Sequence, residues 1–252
     1  MQNVEPEPYR IGNIPFLGLT IWLDSHPLIP RPETEWWVEQ LIAALAPEAC
    51  AAEKSSVLLA RRFEVPQNSR LGQTISSQTP RPPNVLPLRV LDLCAGSGAI
   101  GCAVLKHCPT ARVSFGEVDP AHEATIRKNI RENSLDEARA DVRIGDLFEP
   151  FKGERFDVIA ANPPYIPEGR VLDSSVADYE PALALRAGED GLAVIRRIAT
   201  ELKEHLTQDG VAWIECDIEN IDEAKKLFAA RGFTVNIMND QYERPRVLVI
   251  SS

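Results

Sequence analysis

Apolar and polar positions follow two rhythms along this chain, and the way they alternate outlines its organisation. From residue 89 onward, short apolar and β-branched runs recur between stretches with helical spacing. The runs predict strands at 89–94, 112–118, 141–145, 156–161, 211–216, 233–238 and 246–251. The intervening stretches predict helices at 98–108, 120–133, 189–207 and 219–231. Such alternation predicts an α/β fold, a parallel sheet with helices on both faces. The last two strands flank Asp240–Pro245, too short a connection for a helical crossover, so they are expected to pair antiparallel.

Ahead of this region, residues 9–23 read as a small hairpin or strand pair punctuated by Gly12 and Gly18. The segment Leu28 to Glu35 runs into a helix. Pro32 suits its first turn, Glu33 and Glu35 suit its positive end, and Trp37, Leu41, Ile42 and Leu45 form an apolar stripe. Between them and the sheet the character changes. Residues 47–88 are rich in Ser, Gln, Asn, Arg and Pro and poor in periodicity, which predicts a disordered insertion. The expected organisation is therefore a hairpin and helix over 1–46, an insertion over 47–88 and the sheet over 89–252. No internal repeat is visible.

Composition narrows the partners. With 252 residues and 44% hydrophobic content, the chain suits one sizeable domain, with or without a small appendage. The net charge of −10 argues against non-specific phosphate binding, so no direct nucleic-acid contact is expected. Cys50, Cys94, Cys102, Cys108 and Cys216 are scattered without a CxxC pair, which fits a reducing compartment and no metal site. No apolar run approaches transmembrane length, so no membrane role is expected. The first residues, with Glu5 and Glu7, read as neither signal nor transit peptide.

Candidate chemistry gathers at the predicted strand ends. The strand Arg89–Leu93 leads into Cys94-Ala95-Gly96-Ser97-Gly98-Ala99-Ile100-Gly101 and a helix. Glycines there permit a tight turn and close approach of a ligand to the positive helix end. The GxGxxG spacing is shared by dinucleotide and S-adenosylmethionine enzymes. Asp119 closes the next strand, where a carboxylate can accept from ribose hydroxyls; it can equally cap the helix beginning at Pro120. Asp146-Leu147-Phe148 follows the third strand, where it can flank an adenine ring or simply turn the chain. The fourth strand, Phe156–Ala161, stops at Asn162-Pro163-Pro164-Tyr165. An amide side chain, a proline-stiffened carbonyl and an aromatic ring then stand at the sheet edge where open α/β folds bind ligands. An Asn-Pro turn that merely ends the strand is the alternative. A nicotinamide enzyme would need a general acid, commonly His. Yet His26, His107, His122 and His205 sit near no such motif, and the last three are expected in solvent.

With the glycine loop, Asp119 and NPPY in this order, the chain resembles class I S-adenosylmethionine-dependent N-methyltransferases. LIPRPETE at 28–35, DLCAGSGAIG at 92–101, GDLF at 145–148, NPPYIP at 162–167 and YEPALALRAGEDGL at 179–192 together resemble the protein-(glutamine-N5) methyltransferases of peptide-chain release factors. The resemblance covers roughly residues 5–46 and 89–250. It implies a Rossmann-like seven-stranded methyltransferase sheet with its last strand antiparallel, preceded by the small hairpin. It implies S-adenosylmethionine held by Asp92, Gly96, Ser97, Gly98, Asp119, Asp146, Leu147 and Asn162. It also implies catalysis by Asn162, Pro163 and Tyr165, with Pro164, Arg31 and Glu33 helping to hold the substrate. The substrate implied is the glutamine of the GGQ motif of a release factor.

Departures from that family are visible. Cys94-Ala95 replaces a more usual Gly-Thr, Ala187 stands where a second Gly is common, and Cys216-Asp217 after Glu215 lacks the Gly and the Gln that usually follow. Family members usually begin with a helical docking domain, so residues 1–46 are expected to be the link to one. The insertion implies a mitochondrial-type branch, a monomer is the expected state, and the setting is intracellular. Two other readings are methylation of a different protein (a ribosomal-protein glutamine) or of a nucleobase amino group, and an inactive interaction protein on the same fold.

Overall fold

The computed structural model describes residues 4–45 and 87–252; nearly all of the expected 47–88 insertion lies outside them. The chain opens with a helical turn, α1 (Glu7–Ile11), which Gly12 ends in the left-handed region at φ 85°. Residues 9–11 are thus helical where the sequence predicted the start of a hairpin. The hairpin β1 (Asn13–Phe16) and β2 (Leu19–Trp22) follows, turning through Leu17 and Gly18, both at positive φ. Leu17 is held in that conformation from outside, its N–H donating to Glu35 Oε1 at 2.7 Å. Next comes α2 (Pro32–Leu45), which buries Trp37, Val38, Leu41 and Leu45.

The main sheet is built from β3 (Leu88–Leu93), β4 (Ala111–Glu117), β5 (Ala140–Ile144), β6 (Phe156–Ala161), β7 (Leu206–Glu215), β8 (Thr234–Asn239) and β9 (Pro245–Ser251). Its order is β5-β4-β3-β6-β7-β9-β8. β9 runs antiparallel to both neighbours and the rest run parallel, as the short connection at Asp240–Pro245 requires. Helices α3 (Ala99–His107), α4 (Glu123–Glu132), α5 (Ser174–Ala177), α6 (Ala182–Leu185), α7 (Ala193–His205) and α8 (Ile221–Ala229) complete the chain.

Alternate strand residues feed two cores. Val90, Val158, Ala160, Val211 and Trp213 pack with α2, α3 and the hairpin. Leu91, Leu93, Ile159, Ala161, Ala212 and Ile214 pack with α7, α8 and the phenylalanines Phe148, Phe151 and Phe156. Burial on both faces is why these strands read as continuous apolar runs. The hairpin is sealed along its edge by Asn129 of α4 and Asn133 at its C-cap: Asn129 Oδ1 accepts from Trp22 N at 2.7 Å and Asn133 Oδ1 from Thr20 N at 2.9 Å. Asn129 Nδ2 also reaches Ser97 O at 2.8 Å, tying the hairpin to the glycine loop.

Most element boundaries differ from the sequence expectation by a residue or two. The larger differences have local causes. The helix expected at 189–207 begins only at Ala193, because Gly188 and Gly191 take left-handed conformations and build a turn. The strand expected at 211–216 already begins at Leu206, with an irregularity opposite Phe156 and Val158. The helix expected at 120–133 starts as a 3₁₀ turn capped by Asp119.

Gly101 shows how tightly α3 meets the sheet: a Cβ there would run into the buried ring of Phe115. Gly101→Ala should therefore destabilise toward the upper end of the about 1–3 kcal/mol typical of overpacking. That exceeds the about 1 kcal/mol that Ala gains over Gly within a helix. A urea-unfolding midpoint below wild type is expected; an unchanged or raised midpoint contradicts this packing account.

Candidate active site

The strand order reverses between β3 and β6, and their register sets Leu93 beside Ala161. The glycine loop and the NPPY segment therefore leave adjoining strand ends side by side. Between them opens a cleft enclosing ≈ 910 Å³, counting its share of open solvent. Ligands of open α/β sheets bind at such a reversal.

Gly96, Asp119, Asp146, Leu147, Asn162 and Pro164 all line this cleft. The loop is shaped by Glu117, a buried carboxylate at the end of β4. Its Oε2 accepts from Gly96 N at 2.7 Å and its Oε1 from Asp119 N at 2.9 Å. A Cβ on Gly96 would meet nothing nearer than Pro27 Cβ at 3.9 Å, so this backbone faces open space. Cys94 and Leu147, both on the wall, are held at φ 61° and 49°. Left-handed backbone in non-glycine residues costs on the order of 1–3 kcal/mol each and tends to mark ligand sites. Asp119 Oδ1 accepts from Ala121 N at 2.9 Å, so this residue caps its helix and faces the cleft together. Asp146 is exposed but paired, with Arg197 Nη2 at 2.7 Å.

Other expected site residues stand behind the wall. Asp92 is fully buried and braces the start of α3, its Oδ2 accepting from Gly101 N at 2.8 Å. Ser97 is buried with its carbonyl engaged by Asn129, and Gly98 packs under Ile126 and Phe115. Pro163 is buried beside Asn162. Arg31 pairs with Glu180 at 2.5 Å, and Glu33 with Arg244 at 3.2 Å, so neither lines the cleft. Tyr165 packs into the second core and donates its hydroxyl to Glu215 Oε1 at 3.0 Å. Burial, reinforced by the Glu215 carboxylate, pushes that phenol well above its ordinary range, so it stays protonated. Two of the histidines correct the expectation of solvated positions, while His107 is exposed as expected. His122 is buried with Ser25 Oγ at 2.8 Å from its Nδ1, and His205 is buried stacked on Phe148.

Asn162 holds the most informative polar atoms. Its Nδ2 donates to Thr34 Oγ1 at 3.3 Å, while its Oδ1 is buried with no hydrogen-bond partner among the described residues. A buried acceptor left unpaired costs about 1–3 kcal/mol, so its persistence at a cleft wall calls for a ligand donor.

A family model described as "Methyltransferase small domain" matches residues 80–179. Curated relatives extend the match along nearly the whole chain. A release factor glutamine methyltransferase of Chlamydia trachomatis is 31% identical over 98% of this chain and 72% of its own length. One from Mycolicibacterium smegmatis is 33% identical over 96% of this chain and 73% of its own. The chain belongs to the release factor glutamine methyltransferase family. Membership and fold together imply S-adenosylmethionine as methyl donor. A ribosomal protein uL3 glutamine methyltransferase of Bradyrhizobium diazoefficiens is 40% identical, over 54% of this chain and 43% of its own. Among solved structures, the hMettl16 catalytic domain in complex with a MAT2A 3'UTR hairpin aligns over 93% of this chain and 75% of its own. At 17% identity and a TM-score of 0.55 it shows the fold alone. Among the described residues no helix is long and apolar enough to cross a membrane.

Sequence reasoning missed Glu117, Thr34, Glu215 and the far wall made by Leu28, Pro181, Leu183 and Arg197. Glu117 and Glu215 carried a signal, an acid closing an apolar strand, since a buried acid needs donors to hold it. Leu28, Pro181 and Leu183 lie in stretches that carry the family resemblance, but nothing there marked them as wall residues, because the wall forms only where Leu28 and the 179–197 segment come together over the sheet edge.

Burial lifts the Asp92 carboxyl well above its usual range; the Gly101 N–H opposes this and the nearby Glu117 carboxylate adds to it. The folded protein thus holds this proton more tightly than the unfolded chain does. The associated stability is full below the ordinary value of 3.8 and is lost as pH rises toward the folded value. Asp92→Asn keeps an oxygen for Gly101 and cannot titrate, so its stability relative to wild type should climb with pH across that window. Urea unfolding of both proteins at a series of pH values checks this; a difference flat in pH contradicts it.

Proposed function

We propose that this protein transfers a methyl group from S-adenosylmethionine to the side-chain nitrogen of the glutamine in a release factor GGQ motif. The unpaired, buried Oδ1 of Asn162 carries the reading, because a primary amide supplies the N–H donor it lacks. The names of the relatives above support the release factor as substrate. Those relatives are bacterial, and the expectation of a mitochondrial-type branch draws no support from them.

Bound in the cleft, S-adenosylmethionine supplies a methyl group on a positively charged sulfur. In this reading Gly96 lets the backbone approach it, Asp119 accepts from its ribose hydroxyls, and Leu147 with Asp146 flanks its adenine. An amide nitrogen is a poor nucleophile because its lone pair is delocalised into the carbonyl. Asn162 Oδ1 and the Pro163 carbonyl accept the two N–H bonds, align the nitrogen and favour its pyramidal form. They would also stabilise positive charge as the N–C bond forms and the methyl's bond to sulfur breaks, and the nitrogen would then lose one proton to water. The work is positioning plus fixed dipoles, with no strong base. Tyr165, packed into the second core behind the wall, holds the NPPY segment through its hydroxyl, whose proton is retained against Glu215.

Methylation of a nucleobase is disfavoured by the net charge of −10. The uL3 relative shares the amide chemistry and names the alternative protein target. Mass spectrometry of a release factor incubated with this protein and S-adenosylmethionine decides. One added methyl on the GGQ glutamine, lost when that glutamine is changed to asparagine, is expected. Methylation of a ribosomal protein instead, or of neither, overturns the substrate assignment.

Two substitutions should separate binding from turnover. Asn162→Ala should lower kcat by about 10²–10³, the cost of one preorganised hydrogen-bonding group. Asp119→Ala removes charge-assisted bonds worth about 1.5–3 kcal/mol each, so it should chiefly raise the Kd for S-adenosylmethionine. Calorimetric titration and steady-state kinetics measure both; full activity in both variants contradicts the site assignment.

A further inference from the structure

The orientation of the Asn162 amide is not set by its own surroundings in the cleft. Its Nδ2 has one partner, Thr34 Oγ1 at 3.3 Å, on a different element of the fold. Thr34 is buried in the first turn of α2, and its hydroxyl donates to Glu215 Oε2 at 2.7 Å. That same oxygen accepts from Trp37 Nε1 at 2.8 Å, and the other oxygen of Glu215 accepts from the Tyr165 hydroxyl. Burial raises the Glu215 carboxyl above its ordinary range, but the three donors from Trp37, Thr34 and Tyr165 oppose the rise; ionised, it acts purely as an acceptor.

The consequence is directional. A hydroxyl has one proton, and Thr34 commits it to Glu215. Only lone pairs remain for Asn162. The amide must then present its NH₂ to Thr34, because the flipped amide would set two acceptors against each other. Its carbonyl oxygen is left pointing away from Thr34, buried and unpaired.

We propose that Thr34, its hydroxyl proton held by Glu215, is the positioning residue that fixes the Asn162 amide with its oxygen toward the substrate nitrogen. This rests on the glutamine-methylation reading above. Thr34 lies outside the cleft lining, so it acts on turnover through Asn162 and not on cofactor binding. The same carboxylate holds Tyr165, so one buried acid orients both polar members of the NPPY segment from a helix that precedes the sheet.

The test compares Thr34→Val, which keeps the shape without the hydroxyl, with Thr34→Ser, which keeps the hydroxyl. Two readouts are taken. The first is the side-chain NH₂ signal of Asn162 in a ¹H–¹⁵N spectrum, assigned by its disappearance in Asn162→Asp. The second is the set of kcat, KM and cofactor Kd on a GGQ-containing release factor domain. Wild type and T34S should show an Asn162 NH₂ protected from solvent exchange, and T34V should lose that protection. In T34V kcat should fall by up to about 10²-fold, the scale of a small misplacement near the chemistry. The Kd for S-adenosylmethionine should stay unchanged and T34S should restore kcat.

If T34V keeps both the protected NH₂ and wild-type kcat, the proposal is overturned. It is equally overturned if T34S is as impaired as T34V, since the methyl group and not the hydroxyl would then matter. If T34V folds poorly, Thr34→Ala carries the same expectations. A wild-type protein that leaves the glutamine unmethylated overturns the functional reading, and the NH₂ signal alone then decides the positioning role.

Discussion

The parallel pairing of β3 with β6 is the constraint on which the site depends. Because Leu93 lies opposite Ala161, the chain leaves both strands at the same level, and Cys94 and Asn162 begin their loops as neighbours. Neither loop makes a site alone. The glycine loop offers backbone and the NPPY segment offers polar atoms. Only the reversal of strand order between them opens a cleft that both can line. The apolar runs that fill two cores thus also fix where the chemistry sits.

Three buried acids hold this arrangement, each by accepting from groups that would otherwise drift. Asp92 braces Gly101 at the start of α3. Glu117 ties Gly96 to Asp119, so the two flanks of the expected cofactor site cannot move apart. Glu215 gathers Thr34 and Trp37 from α2 with Tyr165 from the loop after β6. Glu117 and Glu215 have both oxygens engaged, whereas Asp92, with one oxygen unpaired among the described residues, holds its proton instead. A buried carboxylate costs several kcal/mol to desolvate unless its oxygens are satisfied, so the Glu117 and Glu215 hubs are intolerant of a displaced partner. Rigidity at the sheet edge follows from this intolerance. Asn162 Oδ1, buried and unpaired among the described residues, belongs to a residue that lines the cleft, where a substrate would meet it.

Strand and helix periodicity made the sheet and its antiparallel end readable in advance, since both cores repeat along every strand. Motif spacing brought Gly96, Asp119, Asp146, Leu147, Asn162 and Pro164 onto one cleft. Spacing could not say which residues of a motif face a ligand. Asp92 at the end of β3, and Ser97 and Gly98 in the loop with Gly96, point into packing, because tight turns alternate what they expose. Arg31 and Glu33 were legible as an unusual segment, but their partners Glu180 and Arg244 lie far along the chain. Thr34, the residue after Glu33, gave no signal of its own, although it carries the contact to Asn162. Long-range polar pairing leaves no periodic trace, and it was the part of the site that only the fold revealed.

A crystal structure with S-adenosylhomocysteine and a GGQ-containing peptide would test the central claim most directly. The account predicts the glutamine nitrogen within hydrogen-bonding distance of Asn162 Oδ1, with Nδ2 still turned toward Thr34. A glutamine nitrogen placed elsewhere, or an Asn162 amide whose oxygen faces Thr34, would contradict it.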